Sequence, residues 1–401
     1  MGCVGIIAEY NPFHNGHRYH LEQAVKKSGC SRVVVAMSGC FVQRGEPAMF
    51  SPIERTRWAL EAGAHMVVAL PAAFSLASAE NFAVGGVRLL EGTGIVTHLA
   101  FGTEEPGLPL LLEAAGIGRD DYKPFQNKLK EELASGKSYP HAWRSAVFEI
   151  YGSSAAGVLD SPNAVLALEY LRAIRQCGRP LIPVPIKRVG NRHDEPGMLG
   201  GFSSASAIRA AIRAGDMEAL KAEVPDSVFR SVQALVSGGK SVLSNDELSP
   251  LVLYALRRMR IEELISLADL SEGLENLFYR ACRQSTSYGE MLQRIKTKRY
   301  TLSRIKRIAM RALTGITRAD EDISGLFLRV LGVRRDAMDL LSCLSARASL
   351  PVLLRGEDAK KLPHAAQNAL ELEKRVMDIY GMLMPNPDPA GLYLRHRLIV
   401  V

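Results

Sequence analysis

Short, mostly apolar segments recur along the first half of the chain, and segments with helical spacing separate them. The apolar segments are Cys3–Ala8, Arg32–Met37, Met66–Leu70, Val96–Phe101 and Leu181–Ile186. A continuous apolar run of this length is typical of a parallel strand that helices cover on both faces. The alternation of strand and helix therefore predicts an α/β fold with a doubly wound, Rossmann-like parallel sheet and right-handed crossovers.

Serine and proline mark the starts of several predicted helices. Ser51–Glu54 (SPIE) combines an N-cap serine, a first-turn proline and a glutamate three residues after the cap, which predicts a helix that ends at Gly63. Ser161-Pro162 predicts a second such start, at the end of a mostly helical insert that runs to about residue 176. Ser203 and Ser204 precede a third helix, which ends at Gly215.

From about residue 217 the spacing of Leu, Ile and Ala is helical throughout, with few strand signals. We therefore expect two domains. Residues 1–216 form the α/β domain, and residues 217–401 form an all-helical domain. In a doubly wound sheet, ligands bind at the carboxyl ends of the strands, so the loops after residues 8, 37, 70, 101 and 186 are the candidate ligand-binding loops.

The composition is that of a soluble globular protein. Of 401 residues, 47% are hydrophobic and 23% are charged, which is enough apolar material for a sizeable core. The six cysteines show neither CxxC spacing nor histidine partners, so neither a zinc site nor a disulfide framework is predicted. No segment approaches 18 uninterrupted apolar residues, and we expect a cytoplasmic protein without a membrane span.

The loop after the first strand carries the clearest chemical motif. Residues Glu9–His17 read EYNPFHNGH, which places an H-x-G-H tetrapeptide between a strand and a helix. Gly16 permits close backbone approach, the new helix offers free N–H groups, and the imidazoles of His14 and His17 lie one turn apart. This combination suits a polyphosphate. The glycine motifs of a P-loop or a dinucleotide-binding loop do not occur.

Two other interpretations of the histidines stay open at this point. His14 and His17 are equally compatible with ordinary surface or packing histidines. A zinc site is the weaker alternative, because the sequence shows no third ligand and the spacing is three residues in a loop. The position at the end of the first strand favours the nucleotide interpretation.

The H-x-G-H motif in this position resembles the signature of the nucleotidylyl-transferase superfamily, which includes class I aminoacyl-tRNA synthetases and small-metabolite adenylyltransferases. Those enzymes often carry a second signature, a Ser/Thr-rich turn before a helix with Ile-Arg. Residues Ser204–Arg209 (SASAIR) stand in that place, although Ala205 replaces the common middle serine. Taken alone, Ser203–Ser206 are equally explained as a plain helix cap.

Two longer segments resemble the bacterial tRNA(Met) cytidine acetate ligase family. They are Gly5–His17 (GIIAEYNPFHNGH) and Met37–Ala48 (MSGCFVQRGEPA). Shorter matches are Phe101-Gly102, Ser161–Asn163, Lys187–Gly190 and Lys298–Tyr300, so the resemblance runs from residue 5 to beyond residue 310. Cys40 departs from the asparagine expected in the family, which puts the role of that loop residue in doubt.

This resemblance implies a two-step ligase. Acetate attacks the α-phosphate of ATP, and the resulting acetyl-adenylate acetylates N4 of the wobble cytidine in elongator tRNA(Met), with Mg²⁺ accompanying the ATP and no acetyl-CoA. By the same resemblance, His14 and His17 are catalytic and contact the phosphates. The implied ATP-binding residues are Ile7, Ala8, Glu9, Tyr10, Asn11, Pro12, Phe13, His14, Asn15, Gly16, His17, Arg18, Tyr19, His20, Gly102, Asn163, Arg188, Ser204 and Ser206. Arg44 is a further candidate for a polyanion, or a solvated loop arginine.

The net charge of +8 is unevenly distributed. Residues 1–219 hold 22 basic and 21 acidic groups, and residues 220–401 hold 28 and 21. Within Arg280–Arg311 there are ten basic residues and one acid, Glu290. Ile295, Leu302, Ile305, Ile308 and Ala312 form an apolar stripe that leaves the basic groups facing outward.

A tRNA backbone is the natural partner of such a surface, since phosphate contacts supply affinity. The candidate tRNA-binding residues are Arg294, Lys296, Lys298, Arg299, Arg304, Lys306 and Arg307. Tyr288 and Tyr300 either stack on bases or pack in the core. A solvated basic face and an amphipathic membrane-surface helix are the alternatives, and the second is weak because Trp and Phe are missing from the apolar side.

Two other functions use the same motifs. An adenylyltransferase acting on a small phosphorylated metabolite has the same H-x-G-H site, but it leaves the basic helical region without a role. A non-enzymatic nucleotide- or RNA-binding module is disfavoured by the intact His14, Gly16 and His17. We expect tRNA, acetate and ATP as partners, and neither DNA nor a membrane. No resident metal site is assigned.

Overall fold

The computed structural model describes residues 2–104, 107–116, 123–157, 161–188, 202–244, 247–270 and 273–401. The matched residues Val189 and Gly190 lie outside these ranges. The strands are β1 (Cys3–Ala8), β2 (Arg32–Ser38), β3 (Phe41–Val42), β4 (Glu46–Pro47), β5 (Met66–Leu70), β6 (Val96–Thr103), β7 (Ile182–Lys187), β8 (Leu328–Val333), β9 (Val352–Leu353) and β10 (Ile399–Val400). All five strands predicted in the first half are therefore confirmed, to within two residues at each end.

The main sheet has the order β10-β8-β5-β2-β1-β6-β7, with β9 paired to β8. Strands β5, β2, β1, β6 and β7 are parallel to one another, and β1 lies between β2 and β6. Strand β8 is antiparallel to β5. The short strands β3 and β4 form a separate hairpin within the loop after β2, which we call the β3–β4 hairpin.

In the part of the chain that the structure describes, ten helices lie between the first seven strands or directly after them. They are α1 (Asn15–Ser28), α2 (Pro52–Glu61), α3 (Ala72–Ser75), α4 (Ala79–Gly92), α5 (Leu108–Gly116), α6 (Lys123–Ala134), α7 (Tyr139–Tyr151), α8 (Ser153–Gly157), α9 (Pro162–Arg175) and α10 (Ala205–Ala214). The predicted caps are confirmed, because the hydroxyls of Ser51, Ser161 and Ser204 accept the N–H groups of Glu54, Ala164 and Ala207.

The second half of the chain is mainly helical. Its helices are α11 (Met217–Lys221), α12 (Asp226–Ser237), α13 (Leu248–Arg258), α14 (Ile261–Ser266), α15 (Leu274–Gln284), α16 (Tyr288–Ile295), α17 (Leu302–Thr314), α18 (Asp339–Arg347), α19 (His364–Gly381) and α20 (Leu392–Arg395). Among the described residues, no helix is both long and apolar enough to cross a membrane.

The sheet is covered on both faces, as a doubly wound fold requires. One face packs Val34 and Val68 against Phe82 of α4 and Leu168 of α9. The other packs Val33, Val35 and Val67 against Leu21, Trp58 and Ile212, from α1, α2 and α10. These strands are buried on both sides, which explains their nearly continuous apolar sequences.

The expectation that residues 217–401 are all helical needs a correction. Strands β8 and β10 return to the main sheet and extend it beyond β5. Every residue of β8 is buried, and a Cβ at Gly332 would lie 2.8 Å from Leu60 Cδ1 of α2, so this strand packs tightly under the first half of the chain. Both halves of the chain therefore contribute to one sheet. The division into two domains at residue 216 stays a prediction.

Candidate active site

A cleft of about 760 Å³ lies at the carboxyl ends of β1, β6 and β7. Its walls come from the loop after β1, the β3–β4 hairpin, and the starts of α9, α10 and α17. This is the edge at which a doubly wound sheet binds ligands. The cleft therefore lies where the sequence predicts a nucleotide site.

His14 and His17 are held by their own backbone. His14 caps α1, and its Nδ1 accepts the N–H of Gly16 at 3.1 Å, while His17 Nδ1 accepts the N–H of His14 at 3.3 Å. The two imidazoles are stacked with ring centroids 3.7 Å apart. Because each Nδ1 is an acceptor, the ring proton lies on Nε2, and each ring carries an N–H donor at the start of α1.

Two aromatic rings pack against the imidazole of His17. Tyr10 meets His17 edge to face with ring centroids 4.8 Å apart, and Phe13 lies 5.5 Å from the same ring. Tyr10 and Phe13 are both buried. Their packing fixes the tilt of His17, so the imidazole orientation is built into the fold.

Most of the predicted ATP-binding residues line the cleft. They are Ile7, Ala8, Glu9, Tyr10, Asn11, His14, Gly16, His17, Tyr19, His20, Gly102, Asn163, Arg188 and Ser204. Pro12, Phe13, Asn15, Arg18 and Ser206 are absent from its walls. Phe13 is buried beneath the imidazoles, the Asn15 amide donates to Ala222 O at 3.0 Å, and Arg18 is exposed. Ser206 Oγ accepts from Arg209 Nη2 at 3.3 Å.

Glu104 joins three residues on one side of the cleft. Its carboxylate accepts hydrogen bonds from Ser161 Oγ and Asn163 Nδ2. The Arg188 guanidinium lies 4.0 Å from the same carboxylate, and it donates to Asn163 Oδ1 at 3.4 Å. Asn163 and Arg188 are among the residues predicted from the sequence. Glu104 is not, and its only sequence signal is its position just after β6.

Gly102 is explained by the same arrangement. A Cβ at this position would lie 3.2 Å from Arg188 Cγ. Arg188 follows the neighbouring strand β7, and its backbone N–H donates to Thr103 O of β6 at 3.0 Å. The glycine therefore leaves room for the arginine stem at the wall of the cleft.

His20 completes this side of the cleft. Burial, together with the positive charge of Arg188, lowers the pKa of His20 to about 4. Its Nε2 atom is buried and has no hydrogen-bond partner among the described residues. The ring is therefore neutral near pH 7 and carries no charge into the cleft.

Arg209 lines the opposite wall of the cleft. Its Nη1 donates to Asn11 O at 2.9 Å, while Nε is buried and has no partner in the described part of the chain. Nearby, Glu9 Oε1 accepts the N–H of Gln43 at 2.9 Å, and burial raises the pKa of Glu9. Arg44 also lines the cleft. Positive charge from two arginines thus faces this part of the site.

A fully buried arginine, which was not predicted from the sequence, donates hydrogen bonds to backbone carbonyls around the cleft. Arg55 of α2 donates to Phe50 O at 3.0 Å, Glu9 O at 2.6 Å, Ser38 O at 2.9 Å and Gly39 O. These carbonyls end β1 and β2 and follow the β3–β4 hairpin. Arg55 is therefore a positioning residue for two of the loops that form the cleft.

The start of α17 reaches the cleft, which the sequence did not predict. Thr301 caps this helix, and Thr301, Ser303 and Arg307 line the cleft. Arg307 is buried, with Nε 2.7 Å from Asp269 Oδ2, and Lys306 Nζ pairs with Glu46 of the hairpin. The helical region therefore supplies one wall of the nucleotide cleft.

The expected outward display of the basic stretch is only partly correct. Arg294, Lys296, Lys298 and Arg299 are exposed, and Arg294 pairs with Glu290 at 2.8 Å. Arg304, which is half-buried, donates to Asp269 O at 2.8 Å. Arg307 and Arg311 are buried because carboxylates of Asp269 and Glu321 neutralise them inside the helical core.

The structure also shows where Leu302, the two tyrosines and the loop residues of this stretch lie. Leu302, predicted to lie on the buried apolar stripe, is 38% exposed because it begins α17 at the surface. Tyr288 and Tyr300 are buried, so they pack in the core and do not offer free faces for base stacking. Lys298 and Arg299 lie in the exposed loop between α16 and α17.

Comparison with known proteins places the chain in a family. The family model described as HIGH Nucleotidyl Transferase matches residues 1–391. The tRNA(Met) cytidine acetate ligase of Acetivibrio thermocellus is 37% identical over 415 residues, covering all of both chains, and that of Thermoanaerobacter sp. is 35% identical over 404 residues, again covering both. This chain belongs to the tRNA(Met) cytidine acetate ligase family.

Solved structures agree with this family assignment. The crystal structure of apo TmcAL from Thermotoga maritima superposes with a TM-score of 0.93 at 29% identity, and each chain is covered completely. A second structure of that protein, bound with alpha-thio ATP, gives a TM-score of 0.89 with the same coverage. The predicted α/β nucleotidyltransferase fold is confirmed, and the second half of the chain is mainly helical rather than all helical.

Proposed function

We propose that this chain is an ATP-dependent ligase that forms N4-acetylcytidine at the wobble position of elongator tRNA(Met), through acetyl-adenylate. The observation that carries the proposal is the orientation of His14 and His17. Their Nε2–H donors lie at the N-terminus of α1, inside a cleft with four arginines in its walls. Membership of the tRNA(Met) cytidine acetate ligase family supplies the substrates.

The first step is a displacement at phosphorus. A carboxylate oxygen of acetate attacks the α-phosphorus of ATP, the bond to the α,β-bridging oxygen breaks, and pyrophosphate leaves. Such a step needs positioning and charge stabilisation rather than a protein nucleophile. The Nε2–H groups of His14 and His17 and the α1 dipole would stabilise the charge that builds on the phosphate oxygens.

The remaining cleft residues would hold the nucleotide. Gly102 and Asn163, with Arg188 beside them, would contact the adenosine or a phosphate on one side, and Ser204 and Arg209 on the other. Mg²⁺ is expected to arrive with ATP as its counter-ion. Among the described residues, no group of three or more His, Cys, Asp or Glu side chains is placed to hold a metal ion.

The second step transfers the acetyl group. The N4 lone pair of the wobble cytidine attacks the acetyl carbonyl, AMP leaves with the bonding electrons, and N4 loses a proton. No acetyl-CoA is used. We infer that the exposed Arg294, Lys296, Lys298 and Arg299 contact tRNA phosphates.

The buried and ion-paired members of the stretch have a different proposed role. Arg304, Lys306 and Arg307 contact Asp269 and Glu46, so they hold α17 against the cleft.

We infer a cytoplasmic setting and no DNA or membrane partner, because the substrates are tRNA, acetate and ATP.

The test is incubation of the protein with ATP, radiolabelled acetate and unmodified tRNA(Met). We expect label in the tRNA, with AMP and pyrophosphate released in equal amounts. A tRNA(Met) with uridine at the wobble position should take up no label, since it lacks the N4 amine. Replacement of ATP and acetate by labelled acetyl-CoA should also give none. Absence of label from the normal tRNA, while the protein binds ATP, would overturn the proposal.

A further inference from the structure

A second depression, outside the cleft, lies on the surface of the helical region. It has a volume of about 500 Å³ and is lined by Pro250, Leu253, Tyr254, Arg257, Arg258 and Thr286. We call it the Tyr254 groove. Arg257 forms its base by donating to Cys282 O at 2.9 Å and Ser285 O at 2.6 Å, which ties α13 to the turn between α15 and α16.

Tyr254 is the distinctive feature of this groove. Its side chain is 64% exposed, more than any other large apolar side chain among the described residues. The Arg258 guanidinium carbon lies 6.0 Å from the centre of the ring. An exposed aromatic ring beside an arginine combines a stacking surface with a positive charge.

Positive charge predominates in the lining of the groove. The groove lining holds two arginines and no acidic residue. A third arginine, Arg283, lies next to the lining. It donates to Arg257 O at 3.1 Å and lies 3.5 Å from the centre of the Tyr279 ring. Carboxylates lie outside the lining: Glu263 interacts electrostatically with Arg258, while Glu290 accepts from Thr286 and pairs with Arg294. The complementary partner is therefore an anion that also carries flat aromatic groups.

We propose that the Tyr254 groove binds an unpaired nucleotide of the tRNA substrate, with the base stacked on Tyr254 and the adjoining phosphate paired with Arg258. The inference rests on the proposed function and deepens it. Only unpaired bases expose their faces, so a loop of the tRNA fits the groove and a continuous duplex does not.

The path between the groove and the cleft supports this assignment. Thr286 lies in the groove and Ser303 lies in the cleft. The chain between them carries Lys296, Lys298 and Arg299, which are all exposed. One RNA strand can therefore follow a basic surface from the groove towards the site where its cytidine reacts.

The test measures binding of two RNA probes to the full-length protein. One is a hairpin with the stem and seven-nucleotide loop of the tRNA(Met) anticodon arm, and the other is a blunt duplex of the same length. We expect Tyr254→Ala to weaken hairpin binding about tenfold, within the range measured for one base stacked on an aromatic ring, and to change duplex binding less than about twofold. Tyr254→Phe, which keeps the ring, should bind the hairpin as the unaltered protein does.

Matched variants complete the design. Phe148→Ala removes another exposed aromatic ring, on α7, and should leave binding of both probes unchanged. Arg258→Ala should weaken both probes and reduce the salt dependence of binding by about one phosphate contact, whereas Arg230→Ala on α12 should not. Thermal melting of each variant establishes that the fold is kept.

The proposal is overturned if Tyr254→Ala binds the hairpin normally, which would assign the groove to another class of partner such as a protein. It is also overturned if Tyr254→Phe loses as much affinity as Tyr254→Ala, or if both probes weaken equally. Failure of the unaltered protein to acetylate tRNA(Met) is a separate result. That failure would overturn the proposed function, and the hairpin measurement would still report whether the groove stacks an unpaired base.

Discussion

Gly45 of the β3–β4 hairpin lies directly against the backbone of Arg307 in α17. Its φ is +76°, and a Cβ at this position would lie 2.3 Å from the Arg307 backbone nitrogen. The neighbouring residues reinforce the contact, because Lys306 pairs with Glu46. Arg307 and Arg44 both line the cleft, so this close approach joins the helical region to the nucleotide site.

We predict that Gly45→Ala destabilises the protein and lowers ligase activity. The new methyl group meets backbone atoms that cannot rotate away, in addition to the strain of a positive φ, and we expect a loss of about 2 kcal/mol or more in the free energy of unfolding. Urea unfolding measures this loss. Gly215→Ala is the matched control, since Gly215 has a φ of +74° but no atom within 4 Å of the added Cβ. Equal losses in the two variants would contradict the close contact.

A buried carboxyl group gives the stability a pH dependence. Glu373 of α19 accepts the N–H of Ala72 at 2.6 Å, and burial raises its pKa from 4.5 to about 7. Between these values the folded protein holds a proton that the unfolded chain releases, so rising pH favours unfolding by up to about 1.4 kcal/mol per pH unit.

Glu373→Gln should remove this dependence, because the amide oxygen can still accept the Ala72 N–H without ionising. Relative to the unaltered protein, the variant should become more stable as the pH rises from 5 to 7, measured by urea unfolding. Glu371→Gln, at an exposed position of the same helix, should show no such trend. A pH-independent difference for Glu373→Gln would contradict a protonated carboxyl.

Much of the fold could be predicted from the sequence because its signals are local. The fully buried strands have continuous apolar sequences, and the helix starts at Ser51, Ser161 and Ser204 depend on residues three positions apart. Strand β8 was missed because its pairing with β5 joins residues more than 250 positions apart, and its apolar residues fit the helical spacing around them equally well.

In the candidate site, too, residues with a local sequence signal were predicted, and residues that depend on distant contacts were missed. The H-x-G-H loop was found because its residues are consecutive, and eleven other predicted ATP-binding residues line the same cleft. Glu104, Arg55 and Ser303 were missed, since their importance depends on contacts across the fold. Arg307 was assigned to the outer surface because sequence does not reveal its partner, Asp269.

The exposed loop between α16 and α17 is expected to contribute to tRNA binding and not to adenylate formation. Replacing Lys298 and Arg299 together by alanine should weaken tRNA(Met) binding about tenfold or more at physiological salt, while acetate-dependent adenylate formation without tRNA stays normal. Filter binding and single-turnover assays measure the two properties. Lys360→Ala with Lys361→Ala is the control for removing two exposed positive charges. A matching loss of adenylate formation would contradict the assignment.

The role of His14 can be separated from its role as a helix cap. His14→Asn keeps a side-chain acceptor for the Gly16 N–H, which maintains the start of α1, but it removes the Nε2–H donor. We predict unchanged thermal stability and tRNA affinity, with adenylate formation reduced about 100-fold or more. His141→Ala, which removes an exposed histidine of α7, should have no effect. Normal adenylate formation in His14→Asn would exclude a phosphate contact by that imidazole.

Exchange of labelled pyrophosphate into ATP, without tRNA, tests most directly whether the cleft activates acetate. The reaction reports reversible formation of acetyl-adenylate and involves only the cleft. The unaltered protein should catalyse exchange that depends on acetate, and His14→Asn and His17→Ala should lose it. Exchange that is absent without tRNA, or that persists in both histidine variants, would contradict acetate activation by the two imidazoles.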